Sequence, residues 1–122
     1  MSFTIQSSQL PKSLRDGVAK KDIKALFELA VRYEDGIGLT QDYSKAVEIY
    51  DEILKKTNDS DAAYNLGRLY ELGDGVEQDL NMAYQLYSQG VKNGDTDSMV
   101  NLALLYKKGL GVNHDCDKCF EL

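Results

Sequence analysis

The strongest constraint on this chain is one pattern written three times. It runs through residues 29–42, 66–79 and 102–115 as Leu-small-x-x-Tyr-x-x-Gly-x-Gly-aliphatic-x-x-Asp, without a gap. Tyr33, Tyr70 and Tyr106 mark the same place in each copy, 37 and then 36 residues apart. Self-similarity at a period of this size marks a tandem-repeat array. A single unit cannot bury its own apolar faces, so neighbouring units stack and the array becomes the folding unit.

Local signals divide each unit into two helices. Ala25, Leu26, Leu29, Ala30 and Tyr33 recur at spacings of three and four, which predicts a helix over 22–34. Gly36 and Gly38 stop it, because glycine reaches left-handed backbone angles without steric cost. A second helix is expected over 43–56, with Ala46, Val47, Ile49, Tyr50, Ile53 and Leu54 as its apolar stripe and Asp42 placed to cap it. The scheme repeats as helices over 60–72 and 80–93, then over 97–108. Residues 116–122 align with 43–49 and begin one helix more. A shift of 73 residues lays Leu14, Gly17, Val18 and Asp22 on Tyr87, Gly90, Val91 and Asp95, so residues 10–20 are read as a capping helix. With no strand-like alternation, the expected fold is an all-α solenoid of about seven helices in antiparallel pairs. The units are residues 1–24 (polar terminus and cap), 25–61, 62–97 and an incomplete 98–122.

Ala30, Gly67 and Ala103 are each followed sixteen residues later by another small residue, Ala46, Ala83 or Cys119. Small residues at matching places on paired helices are expected to let the backbones approach, with Tyr33, Tyr70 and Tyr106 covering the seam.

The pattern Ala-x-x-x-Leu-Gly-x-x-Tyr-x-x-Gly-x-Gly-Val-x-x-Asp-x-x-x-Ala resembles the Sel1-like repeat, a relative of the tetratricopeptide repeat. The unit from Ala62 to Asp95 fits it best. The first unit has Ala30 in place of glycine and Leu39 in place of valine, and the third has Cys119 in place of the second-helix alanine. The resemblance implies a non-catalytic adaptor or scaffold that holds a protein or peptide partner on the concave face of the solenoid.

Other chemistries are poorly served by the residues present. The Gly-x-Gly triplets follow a helix rather than a strand and lack the third glycine of a nucleotide loop, so they read as helix stops. His114, Cys116 and Cys119 have the types of a zinc or redox site, but both cysteines occupy core positions of the repeat and a fourth ligand is missing. Asp42, Asp79 and Asp115 recur with the repeat, which suits capping better than acid–base catalysis. His114 is the only histidine, so no nucleophile–base pair is apparent, and hydrolase-like or metal-binding activity is the remotest reading. Neither an enzyme nor a cofactor is expected.

Twenty acidic residues against 14 basic ones give a net charge of −6, contrary to the basic footprint that nucleic acid or anionic lipid demands. No apolar run is long enough to cross a bilayer. Residues 1–9 lack the features of a secretory signal and the cysteines are few, so a cytoplasmic location is expected. Asn58-Asp59-Ser60 fits the glycosylation triplet, a chance match in that setting.

In the tetratricopeptide architecture the first helix of each pair lines the concave face. The register then points Lys24, Phe27, Val31, Asp61, Tyr64, Arg68, Asp97, Val100 and Leu104 to the solvent side, with Asn65 and Asn101 beside them. An apolar strip edged by amides and charges suits a peptide or helix, and Tyr64 and Arg68 are of the types that dominate interfaces. The competing expectation is that these residues only pack, the asparagines tying one unit to the next. A second function is self-association: the incomplete last repeat would leave Leu102, Leu105, Tyr106 and Phe120 uncovered and favour a homodimer.

Overall fold

Aspartates decide where the helices begin. In the computed structural model, which describes residues 10–108, the elements are α1 (Lys12–Ala19), α2 (Ile23–Asp35), α3 (Tyr43–Lys56), α4 (Ser60–Leu72), α5 (Leu80–Lys92) and α6 (Thr96–Lys108). Asp22, Asp42, Asp59 and Asp79 precede α2 to α5, and each carboxylate accepts a backbone N–H from the first turn at 3.0–3.2 Å. Asp95 does the same for α6, accepting from Ser98 N at 2.8 Å. Such caps satisfy otherwise unpaired N–H groups and place negative charge at the positive end of the helix dipole.

Glycines decide where the first helix of each pair ends. Gly36 and Gly73 are left-handed, with φ of +68° and +74°. Gly73 N and Asp74 N both donate to Leu69 O, closing the last turn of α4. The chain then folds back, with Asp79 N donating to Tyr70 O at 3.0 Å and Gln78 Nε2 to Glu71 O at 2.8 Å. The first unit repeats both bonds through Asp42 and Gln41.

Consecutive helices pack on one another from α1 to α6, and α4 also meets α6. All described elements are α-helices, as the repeat predicts; the expected helix over 116–122 lies outside the described residues. The main core gathers Leu26, Leu29, Ala30, Ile49, Tyr50, Ile53, Ala62 and Leu66, all buried. Leu10, Leu14 and Val18 join it, so α1 covers the apolar side of α2. Full burial of a leucine or valine side chain stabilises by about 1.5–3 kcal/mol, which holds a short helix that would not survive alone.

One expectation is refined and one needs correction. Gly67 does make room, but for an aromatic ring: a Cβ there would lie 2.9 Å from Tyr87 Cε1 and 3.3 Å from Leu86 Cβ, with Ala83 not among its nearest neighbours. The side chains of Leu102, Leu105 and Tyr106 are not left uncovered either. They are buried in a second cluster with Ala83 and Tyr87, because α6 turns its leucine face onto α5. Tyr106 adds a hydroxyl contact of 2.6 Å to Tyr84. Phe120 lies outside the described residues.

Candidate functional site

The first helices α2, α4 and α6 are joined by a polar clamp that recurs from unit to unit. Tyr50, fully buried on α3, donates its hydroxyl to a carboxylate oxygen of Glu34 on α2. Asn65 on α4 donates to the same hydroxyl at 3.0 Å, and Arg68 Nη2 pairs with Glu34 Oε1 at 2.7 Å. Glu34 is 5% exposed, and a carboxylate buried this far needs hydrogen-bonding partners, which these groups supply. Burial first, then the Glu34 hydrogen bond and charge, raise the Tyr50 pKa and keep the phenol protonated. Burial pulls the Arg68 pKa down, but the hydrogen bond and charge of Glu34 outweigh it and the net shift is upward.

The next unit repeats the clamp with one member changed. Tyr87 donates to Glu71 Oε1 at 2.8 Å and accepts from Asn101 Nδ2 at 3.3 Å. Its pKa is likewise raised by burial and by the bond to Glu71. Each tyrosine therefore holds the first helix of its own unit and the first helix of the unit after. The place of Arg68 is taken by Leu104, which is 43% exposed. Aromatic contacts follow the same register: Phe27 meets Tyr50 edge-on at 5.7 Å between centroids, and Tyr64 meets Tyr87 at 6.0 Å.

The residues expected as a binding face run along α2, α4 and α6 and divide by exposure. Lys24, Asp61, Asp97, Val100 and Leu104 are exposed, while Phe27, Val31, Tyr64, Asn65, Arg68 and Asn101 are half-buried. Asn65, Arg68 and Asn101 spend their polar groups within the chain, and Phe27 and Tyr64 back the clamp tyrosines. Partial burial and the aspartates Asp59, Asp95 and Asp97 raise the Asp61 pKa, so negative charge gathers at the start of α4 and α6.

Sequence reasoning missed Glu34, Glu71, Tyr50 and Tyr87 as a working set. The signal was present: Glu34 and Tyr50 recur as Glu71 and Tyr87 at the repeat spacing, each pair sixteen residues apart. A separate open groove of about 770 Å³ is lined by Asn58, Tyr84, Gln85, Ser88, Gln89, Lys92 and Asn93 and includes none of the expected face residues. Among the described residues no group of three His, Cys, Asp or Glu side chains could hold a metal; His114, Cys116 and Cys119 lie outside them. No described helix is long and apolar enough to cross a membrane.

Helical hairpins stacked through shared tyrosine clamps define an α-solenoid of tandem repeats. The chain belongs to the Sel1 repeat family, whose model matches residues 23–52, 60–95 and 96–122. Proteins of this family are generally non-catalytic protein-interaction scaffolds. Among solved structures, it is similar to c5321, a protective antigen of uropathogenic Escherichia coli with an SLR fold, at 28% identity and a TM-score of 0.84, covering 88% of this chain and 23% of that one. It is also similar to a Sel1 repeat protein from Oxalobacter formigenes, at 20% identity and a TM-score of 0.80, covering 89% and 44%. Helicobacter pylori cysteine rich protein B shares the fold at 23% identity and a TM-score of 0.68, covering 95% and 86%. The chain thus spans about a quarter of the E. coli protein and less than half of the O. formigenes one. No curated protein matches it in sequence.

Proposed function

We propose that this chain is a non-catalytic binding module that holds a partner polypeptide against the face of α2, α4 and α6, the concave side of the solenoid. One observation carries the reading. Val100 and Leu104, 54% and 43% exposed, lie at adjacent turns of α6 although its other leucines are buried. An exposed apolar pair beside half-buried aromatics, on a backbone fixed by the clamps, provides a pre-organised surface with little ordering entropy to lose. The net charge of −6 favours a protein partner over nucleic acid. A homodimer through the C-terminal unit gains no support from Leu102, Leu105 and Tyr106, which are already buried.

The test is affinity capture with the wild-type chain and with a Val100→Ser/Leu104→Ser variant. Both side chains are exposed, so the variant keeps the fold. Loss of the captured protein supports this face, and undiminished capture rejects it.

A further inference from the structure

The two clamps are copies, yet only one is electrically complete. In the first, Arg68 neutralises Glu34. In the second, Glu71 Oε1 accepts from Tyr87, and among the described residues no Lys or Arg lies within ion-pair distance of the carboxylate. The residue in the Arg68 register is Leu104, an exposed apolar side chain that cannot pair with a carboxylate. Glu71 is half-buried, so a cation brought to it would meet a carboxylate already fixed in place by the clamp.

We infer that Glu71 receives a basic side chain, best an arginine, from a partner polypeptide, which fills in the second unit the place that Arg68 fills in the first. The inference rests on the binding face proposed above and names the chemistry that this face recognises. Arginine suits the position because its planar fork can bond a carboxylate while lying on aromatic rings, and the internal pair at Glu34 uses the same group. The wider face carries negative charge too. Asp61 and Asp97 are exposed at the N-terminal ends of α4 and α6, about 15 Å along the axis from Glu71, so they add only a long-range attraction for a basic segment that runs the length of the face. Val100 and Leu104 supply the apolar contact for residues flanking the arginine.

The experiment selects a phage-displayed library of random linear peptides on the full chain, then measures the affinity of the enriched peptides by fluorescence anisotropy. The enriched peptides should share an arginine next to apolar residues. Arg→Ala in the peptide and Glu71→Gln in the chain should each weaken binding about tenfold, the loss expected for one hydrogen-bonded charge, and combining them should weaken it no further. The amide oxygen of the Glu71→Gln variant still accepts from Tyr87, so the clamp survives. Leu104→Arg, which builds the internal pair, should weaken binding more than Leu104→Gln while keeping the melting temperature. Peptides that lose affinity to Val100→Ser but lack a basic residue, or ignore Glu71→Gln, overturn this inference and leave the binding face standing. Peptides indifferent to both changes, or no enrichment at all, overturn both.

Discussion

Tyr87 donates its hydroxyl to Glu71 sixteen residues earlier at 2.8 Å, and Tyr50 stands in the same relation to Glu34. Each hydroxyl also accepts from an asparagine of the following unit, so one atom serves two seams. The carboxylates differ in exposure, Glu34 being buried and Glu71 half-buried. That difference orders the cost of losing the hydroxyl.

Tyr50→Phe leaves Glu34 with Arg68 as its remaining partner and Asn65 without its acceptor. The expected loss is about 1–3 kcal/mol, the desolvation cost of buried polar groups deprived of a bond. Tyr87→Phe should cost less, because water reaches Glu71. Urea denaturation followed by circular dichroism measures both, and a larger loss at Tyr87 would contradict the ordering.

Arg68 and Glu34 should couple energetically. A double-mutant cycle with Arg68→Met and Glu34→Gln is expected to give about 1 kcal/mol, since Arg68 is 36% exposed and solvent screens part of the pair. The single change Arg68→Met should be worse than the double one, because it strands a buried carboxylate. Additive losses would mean that the pair forms no real interaction.

Two left-handed glycines should respond differently to alanine. Gly94, with φ of +82°, has no atom within 4 Å of an added Cβ, so Gly94→Ala costs only backbone strain, about 1–2 kcal/mol. At Gly75 the φ is +78° and an added Cβ would lie 2.5 Å from the carbonyl carbon of Tyr43 and 2.7 Å from Ser44 N. Backbone cannot step aside as a side-chain tip can, so Gly75→Ala should lower the melting temperature well beyond Gly94→Ala, and Gly75→Val should abolish cooperative folding. Equal shifts for the two alanine variants would refute the close contact.

Asp61 gives a pH dependence of known sign. Folding raises its pKa through desolvation and through Asp59, Asp95 and Asp97, so the native state keeps its proton in a window where the unfolded chain has lost it. Stability from this group is full below the unfolded pKa and falls as pH rises through the native one. Asp61→Asn should therefore stabilise the chain at neutral pH, by a few tenths of a kcal/mol for an exposed charge, and the gain should vanish towards about pH 4. Thermal melts at the two pH values decide it; destabilisation at neutral pH would count against the repulsion.

Helix boundaries were legible because glycine and aspartate act locally. Gly36, Gly73, Asp42 and Asp79 terminate or cap within a few residues of themselves, and the helices fall where those residues require. The asparagines were legible as ties between units for the same reason that they were legible as face residues: both readings place them on the first helices. The buried clamp was not legible. Glu34 has the composition of a solvated residue, and its partners stand 16 and 34 residues away, on the following two helices. Distances of that kind are set by how helices cross, which pattern alone does not give. The covering of Leu102 and Leu105 was missed likewise, because the preceding helix α5 contributes to it through Ala83 and Tyr87, a contact that the repeat pattern does not give.

The contact at Gly75 reaches beyond one residue. The turn between α4 and α5 rests on the first residues of α3, and Ser44 Oγ donates to Gly75 O at 3.3 Å. This turn thus has its socket in the preceding unit. In an array of such units, removing or duplicating a complete period leaves each turn seated in an equivalent socket. Inserting a few residues within a period displaces one turn from its own socket and spoils the socket for the next. A chain built this way changes length in steps of a whole unit, which makes its span a quantised property.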